Sequence, residues 1–147
     1  MIDDFRKVFE RDIRKLRSEI SSYNNDDRIW HTEKNIANSA GNLCLHLVGN
    51  LKTYIGNELG GIGFIRDRES EFTQKGISKL QLLDMIDSTL ITVSKTFDNL
   101  PENRLQDEFP VLVFKEKTSV AFMLIHLAAH LDYHLGQINY HRRLLDH

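Results

Sequence analysis

Histidines are concentrated near the end of this chain, in the stretch HLAAHLDYHLGQINYH at residues 126–141. His126, His130 and His134 follow one another at steps of four, so in a helix they lie on one face. Two neutral imidazoles on that face can hold one metal ion, each at about 2.0–2.1 Å from it. A third ligand must come from another element, and His46 in the stretch NLCLHLVGN is the candidate. The spacing therefore raises the hypothesis of a three-histidine metal site.

The positions of these histidines around their helices decide whether they can meet. At about 100° per residue, His46 lies at the margin of its leucine stripe, and His130 and His134 lie beside theirs in the same way. Two adjacent helices could turn these margins toward one shared pocket. Three protein ligands would leave a position for water or substrate, as in catalytic metal sites. His126 rotates away from the core by about 40° per step and is expected at the pocket rim.

The alternative is that these histidines are packing residues. A histidine at the margin of a core usually satisfies a hydrogen bond, and pairs four residues apart also arise by chance, so the spacing leaves both interpretations open. His31, His141 and His147 are expected at the surface. Cys44 lies on an apolar helix, where a single cysteine indicates packing rather than redox chemistry.

The elements that must position these residues are helices. Apolar periodicity predicts four of them, over residues about 3–22, 38–56, 79–99 and 119–145. Ser78 and Gln81 have the form of a capping box before the third helix, and Pro101 ends it. The stretch FPVLVF, residues 109–114, could form a short extended piece over the bundle. The expected fold is all-α, a four-helix bundle whose 2–3 and 3–4 connections are long for a simple up-down-up-down arrangement.

Composition limits the classes of function. The 147 residues, 41% of them hydrophobic, are expected to form one domain over residues 1–147. The formal charge of −2 argues against a nucleic-acid partner, which usually requires a basic field. No segment reaches the roughly 18 apolar residues of a membrane span, and the charged N-terminal residues do not resemble a secretion signal. A single cysteine fits a reducing compartment, so we expect a cytoplasmic protein with no membrane partner.

Two stretches carry a resemblance to a known family. NSAGNLCLHLVGNLKTYIG, residues 38–56, has a histidine before a Gly-Asn pair, and HLAAHLDYHLGQI, residues 126–138, has histidines four apart before Gly-Gln-Ile. The pair resembles the second and last helices of the DinB-like bundle superfamily, which includes YfiT-like metal-dependent hydrolases and bacterial thiol S-transferases. The resemblance covers nearly the whole chain in helix count and order, but its sequence specificity is confined to these two helices.

The resemblance implies a metal site and a topology. The three ligand positions fall on His46, His130 and His134. Four further residues are expected to line the pocket or support the ligands: Trp30, Asn50, His126 and Gln137. The family's ion varies among nickel, zinc, iron and manganese, and imidazole suits several of these. The family bundle has up-down-down-up connectivity and is often dimeric, so a homodimer is expected.

The expected activity is thiol transfer. The chain lacks the H-E-x-x-H motif, because Leu131 stands where its Glu would be and Asp132 projects about 200° from His130. Such a site needs little beyond the ion and a positioned nucleophile, which favours a low-molecular-weight thiol that binds the metal and attacks an electrophile. The alternatives are a hydrolase using metal-bound hydroxide, a stress-related metal-binding dimer without turnover, and a bundle without an ion. Tyr133 and Leu135 depart from the family pattern, so substrate choice does not carry over.

Overall fold

Five α-helices make up the framework of the protein. The computed structural model describes residues 1–147, and its α-helices are α1 Ile2–Ser21, α2 Ala40–Leu51, α3 Arg68–Thr73, α4 Lys79–Asp98 and α5 Val120–Leu145. Two short 3₁₀ helices, Asp26–Trp30 and Glu102–Gln106, lie in the connections. There is no β-strand, only an isolated bridge between Glu108 and Ser119. The prediction of an all-helical chain is confirmed, and the fifth helix, α3, was not predicted.

Side-chain caps explain where the long helices begin. Ser78 accepts a hydrogen bond from the Gln81 backbone N–H, and the Gln81 side chain accepts one from the Ser78 backbone N–H, which completes the predicted capping box of α4. Ser39 caps α2 and Ser119 caps α5 in the same way, each through its side-chain oxygen. These caps satisfy backbone donors that the first turn of a helix leaves free.

The long helices pack so that α1 and α2 each contact both α4 and α5. The predicted apolar stripe of α1 is wholly buried and consists of Phe5, Phe9, Ile13, Leu16 and Ile20. Each such side chain contributes about 1.5–3 kcal/mol when it leaves water. The packing of α2 against α5 matters most for function, because it brings the two histidine-bearing helices side by side.

Helix α2 is buried on all sides. Every residue from Ala40 to Leu51 is inaccessible or nearly so, because α3 covers the side of α2 that α4 and α5 leave open. The helix continues directly into a π-helical turn, Lys52–Asn57, in which the Glu58 N–H donates to the Thr53 carbonyl at 3.0 Å. The helix predicted to extend to residue 56 therefore changes its hydrogen-bond pattern after Leu51, as often happens near functional sites.

The stretch at residues 109–114 is irregular chain and not a strand. Phe109 anchors it in the core, and the Phe109 N–H donates to the Thr118 carbonyl at 2.7 Å. Leu112 is exposed. None of the helices combines the length and apolar composition that crossing a membrane requires.

Candidate metal centre

Three histidines from two helices converge at the contact between α2 and α5. His46 lies on α2, and His130 and His134 lie on successive turns of α5. Each of the three imidazole rings has one nitrogen in this group, and the three nitrogens lie within 4.8 Å of one another. The His46 and His130 Nε2 atoms are 3.1 Å apart. Two nitrogens bound to one tetrahedral ion lie about 3.3 Å apart, so this spacing fits a shared ion.

The nitrogens that face away from the cluster differ in their partners. His134 Nδ1 donates a hydrogen bond to Gln137 Oε1 at 2.7 Å. The lone pair of this imidazole is therefore on Nε2. His130 Nδ1 is buried and has no protein partner. Gln137, predicted from the resemblance to line the pocket, thus fixes the tautomer of one of the three imidazoles.

His46 is held by a buried carboxylate that the sequence did not reveal. Its Nδ1 donates to Glu71 Oε1 at 3.1 Å. Arg66 donates to both oxygens of Glu71, from Nε at 2.8 Å and from Nη2 at 2.9 Å. Hydrogen bonds of this kind orient metal-binding histidines and raise their basicity. Glu71 therefore directs the Nε2 lone pair of His46 toward the other two imidazoles.

Glu71 is ionised in this setting. Burial alone would raise its pKa, but the hydrogen bonds from His46 and Arg66 outweigh burial, and the pKa of this carboxyl lies below its ordinary value. Gly49 makes room for the carboxylate, because a Cβ at that position would lie 1.9 Å from Glu71 Oε2. A glycine inside a helix costs about 1 kcal/mol relative to alanine, and this one was the only sequence signal of the hidden partner.

Burial favours the neutral form of two of the three clustered imidazoles, those of His130 and His134. Burial, and next the neighbouring His134 and His46, lower the pKa of His130 to about 4. Burial also lowers the pKa of His134. Neutral imidazole is the form that binds metal ions, so the lowered pKa values of His130 and His134 favour binding of a cation by these two residues.

A cavity of about 300 Å³ opens beside His46 and His130. Its wall includes Asn50 and two arginines, Arg66 and Arg68. His126 lies at this cavity, with its ring 6.2 Å from that of His130 and outside the group of three. The structure thus places both Asn50 and His126 beside the cluster, where the sequence predicted pocket residues.

A second cavity, of about 480 Å³, lies on the other side of the cluster. His134 and Gln137 line it together with Leu43 and the loop that precedes α2. Its lining is more apolar than that of the first cavity. The three histidines therefore stand between a cationic and an apolar opening.

Comparison with known proteins supplies a family but no activity. Residues 1–147 match the family described as a protein of unknown function (DUF1572). The chain belongs to the DUF1572 family. No curated protein and no solved structure matches it. The chemistry of this DUF1572 chain must therefore be inferred from its own residues.

Trp30 of this DUF1572 chain lies elsewhere than predicted. Its ring packs against Gly41, where a Cβ would lie 2.6 Å from the indole. Its Nε1 donates to the Ile77 carbonyl at 3.2 Å. Trp30 lines neither cavity, so it supports the first turn of α2 and not the wall of the site.

The expectation that His141 lies at the surface is wrong. His141 is 5% exposed, and its two ring nitrogens lie 2.6 Å from Tyr23 Oη and 2.8 Å from the His31 carbonyl oxygen. The physical reason is register, because His141 follows the buried Ile138 by three residues and so continues the inward stripe of α5. His31 is half-exposed and pairs with Glu33 at 3.0 Å.

Two other residues behave as the sequence predicted. Cys44 is fully buried, and burial raises the pKa of its thiol to about 12, which agrees with a packing role. Asp132 points away from the cluster toward Asp12 of α1. Burial and the hydrogen bond with Asp12 raise the pKa of Asp132. Asp132 is therefore not available as a base at the histidine cluster.

Proposed function

We propose that this protein binds one divalent metal ion through His46, His130 and His134 and uses it to activate a low-molecular-weight thiol for transfer to an electrophile. The observation that carries the proposal is the convergence of three imidazoles whose nitrogens lie within 4.8 Å. Glu71 and Gln137 support it, because each binds the Nδ1 proton of one histidine and leaves Nε2 for the ion. Among nickel, zinc, iron and manganese, the first three suit an imidazole donor set, whereas manganese prefers oxygen ligands.

The donor set also indicates a reactive site rather than a closed structural one. Structural zinc sites usually have four protein ligands, whereas three ligands leave a position for a reactant. The cavity beside His46 and His130 would give a reactant access to an ion held by these residues. A divalent ion held by three neutral imidazoles supplies Lewis acidity that lowers the pKa of a bound thiol.

The cavity favours a thiol over water as the nucleophile. No aspartate or glutamate lines it, and both oxygens of Glu71 are already engaged by Arg66 and His46. A water molecule would have no free carboxylate as a base. A thiol, with an ordinary pKa near 8.5, needs less assistance, and His126 at the cavity can take its proton.

The resemblance to the DinB-like superfamily extends the proposal to topology, assembly and compartment. We propose up-down-down-up connectivity, a homodimer and a cytoplasmic location, where small thiols are kept reduced. The outer face of α5 supports the dimer, because it exposes a row of large apolar side chains at helical spacing: Phe122, Ile125, Tyr133, Tyr140 and Leu144. Rows of this kind often mark contacts with another chain.

Metal analysis of protein purified without a histidine tag tests the first part of the proposal. We expect one equivalent of metal in the wild type and in His31→Ala, and less than about a tenth of that in His46→Ala. Full metal content in His46→Ala would exclude the three-histidine site. The circular dichroism spectrum of each variant controls for folding.

Turnover tests the second part. The metal-loaded protein is assayed with a generic electrophile and glutathione, bacillithiol or mycothiol. We expect a thiol-dependent rate that a chelator abolishes and added metal restores. Metal binding without such a rate would favour a non-catalytic protein. Hydrolysis of the electrophile in the absence of a thiol would favour a hydrolase.

A further inference from the structure

One buried amide beside the histidines has no partner in the protein. Asn50 is 6% exposed and lies on α2, one turn beyond His46. Its side chain faces the 300 Å³ cavity, and its Oδ1 is buried without a hydrogen-bond partner. Buried amides are normally hydrogen-bonded, since an unmade bond costs about 1–3 kcal/mol. The unpartnered oxygen is an acceptor, so it requires a donor on the ligand. The amide nitrogen Nδ2 of Asn50 makes no hydrogen bond within the protein either, and it is the group that can donate to an acceptor in the cavity.

The same wall carries more positive charge than negative. Arg66 and Arg68 both line the cavity. Arg66 is paired with the single carboxylate of Glu71. Arg68 is exposed, and its guanidinium lies 6.0 Å from the Phe72 ring without forming a salt bridge. Two arginines against one carboxylate leave one uncompensated positive charge, in a chain with 21 acidic and 19 basic residues.

Two further groups of the wall can donate hydrogen bonds beside the arginines. The Asn50 amide nitrogen and the Tyr54 hydroxyl join the arginines, and no carboxylate lines the cavity. Arg66 also stacks on Tyr54, with its guanidinium 5.9 Å from the ring, which fixes its position. Donors and positive charge gathered around a small space complement an anion.

We infer that this cavity is an anion subsite formed by Asn50, Arg66 and Arg68, and that the thiol activated at the histidine cluster carries an acidic group. That the ligand is a thiol rests on the proposed function. The anion subsite itself rests only on the residues that line the cavity. The sulfur would occupy the end of the cavity formed by His46 and His130. The acidic group would face the arginines. Neutral and cationic thiols would lack that second contact.

Three small thiols of equal length test the inference directly. The probes are 2-mercaptoethanesulfonate, 2-mercaptoethanol and cysteamine, which differ in the charge of the group opposite the sulfur. Each is titrated into cobalt-substituted protein, whose visible and near-ultraviolet absorption reports sulfur binding. We expect the anionic thiol to bind about tenfold tighter than the neutral one, the gain typical of one charge-assisted contact. Cysteamine should bind weakest.

The variant Arg68→Gln separates the subsite from direct effects of the anion on the metal. It should abolish the preference for 2-mercaptoethanesulfonate and leave the affinity for 2-mercaptoethanol and the cobalt content unchanged. Arg143→Gln is the matched control, because Arg143 is also exposed and also lies over an aromatic ring, 5.2 Å from that of Tyr140. It should retain the full preference. Equal affinities for the three thiols, or a preference that survives Arg68→Gln, would overturn the inference while leaving the proposed function intact.

A measurement on metal-free protein keeps the subsite testable if the proposed function fails. Ethanesulfonate, which has no thiol, is titrated into ¹⁵N-labelled protein, and the side-chain amide signals of Asn50 are followed by NMR. We expect a saturable shift in the wild type and in Arg143→Gln, and none in Arg68→Gln. Absence of cobalt binding would overturn the proposed function alone. Absence of a saturable shift at Asn50 would overturn the anion subsite.

Discussion

Helix α5 carries histidines in two buried regions that differ in how their nitrogens are satisfied. Both nitrogens of His141 have protein partners, the Tyr23 hydroxyl and the His31 carbonyl. About two and three turns away along α5, His134 and His130 face His46. The Nε2 atoms of His46 and His130 are 3.1 Å apart. His130 Nδ1 has no partner. Burial alone therefore does not distinguish a packing histidine from a ligand, whereas the partner of each nitrogen does.

The contrast has an energetic consequence. A buried histidine whose two ring nitrogens are both hydrogen-bonded contributes to stability. Each buried ring nitrogen without a hydrogen-bond partner instead costs about 1–3 kcal/mol. The region around His141 is thus expected to stabilise the fold, and the region around His130 to depend on a ligand for its full stability. The predictions below test this division.

The largest expected effect is the loss of metal-induced stabilisation in His130→Ala. Added zinc at about 100 times its dissociation constant should stabilise the wild type by about 2.7 kcal/mol, which raises its Tm by about 8 °C in a chain of this size. In His130→Ala the rise should vanish. Thermal denaturation followed by circular dichroism measures both. His126→Ala should keep the rise, and a full rise in His130→Ala would show that the metal binds elsewhere.

The opposite behaviour is expected at His141. His141→Ala removes the partner of the buried Tyr23 hydroxyl and leaves a hole between α5 and the connection from α1 to α2, so it should lower the free energy of unfolding by about 2 kcal/mol. Urea titration measures this change. Zinc should still raise the Tm of this variant. If His141→Ala lost its metal response but kept its stability, the division between the two regions would be wrong.

A smaller effect on metal binding is expected when the carboxylate that accepts a hydrogen bond from His46 is replaced. Glu71→Gln removes the charge that orients and polarises His46, and loss of such a partner typically weakens metal affinity about 10- to 100-fold. Glu69→Gln is the matched control, because Glu69 lies on the same helix α3 but is exposed. Competition with a chromogenic chelator measures both affinities. Equal affinities in the two variants would reduce Glu71 to a packing role.

A substitution at Gly49 tests the role of the Glu71 carboxylate independently. A Cβ at this position would meet Glu71 Oε2 at 1.9 Å, so Gly49→Ala must displace the carboxylate from His46. We expect a loss of metal affinity of about tenfold, although alanine favours the helix. An unchanged affinity, measured with the same chelator, would show that Glu71 can move without releasing His46.

Much of the helical framework follows from local patterns in the sequence. The stripe of α1, the capping box at Ser78 and the pair of histidines four apart on α5 are set by helix geometry and short-range hydrogen bonds. The burial of His141 also follows from a local pattern, because the inward stripe of α5 that includes Ile138 continues to His141. The surface position expected for His141 ignored this continuation of the stripe.

The supporting residues of the candidate site depend on contacts that no local pattern encodes. Glu71 lies on a six-residue helix within a connection, too short to show apolar periodicity. Arg66 lies in irregular chain before it. The hydrogen bond between Glu71 and His46 spans 25 residues and is made by the packing of α3 over α2. Trp30 illustrates the converse, because family resemblance suggested a pocket position and the packing against Gly41 decided otherwise.

The smallest expected effect is on the pH dependence of the metal-free protein. Burial and the neighbouring imidazoles lower the pKa of His130 from 6.5 to about 4. Between these values the unfolded chain binds a proton that the folded chain does not, so stability is full above about pH 6.5 and falls as the pH decreases toward 4. Because the His130 side chain is only partly buried and solvent screens its interactions, we expect it to account for about 1–2 kcal/mol of that loss, less than the full shift would give. Urea titrations at several pH values measure it.

The variant His130→Gln separates this contribution from those of His134 and His141, whose pKa values burial also lowers. Its free energy of unfolding should fall less steeply between pH 6.5 and 4 than that of the wild type. Saturating zinc should steepen the fall in the wild type, because protons then also compete with the ion for the imidazoles. Zinc should have no such effect in His130→Gln. Parallel curves for both proteins, with and without zinc, would mean that His130 neither has a lowered pKa in the folded protein nor binds the ion.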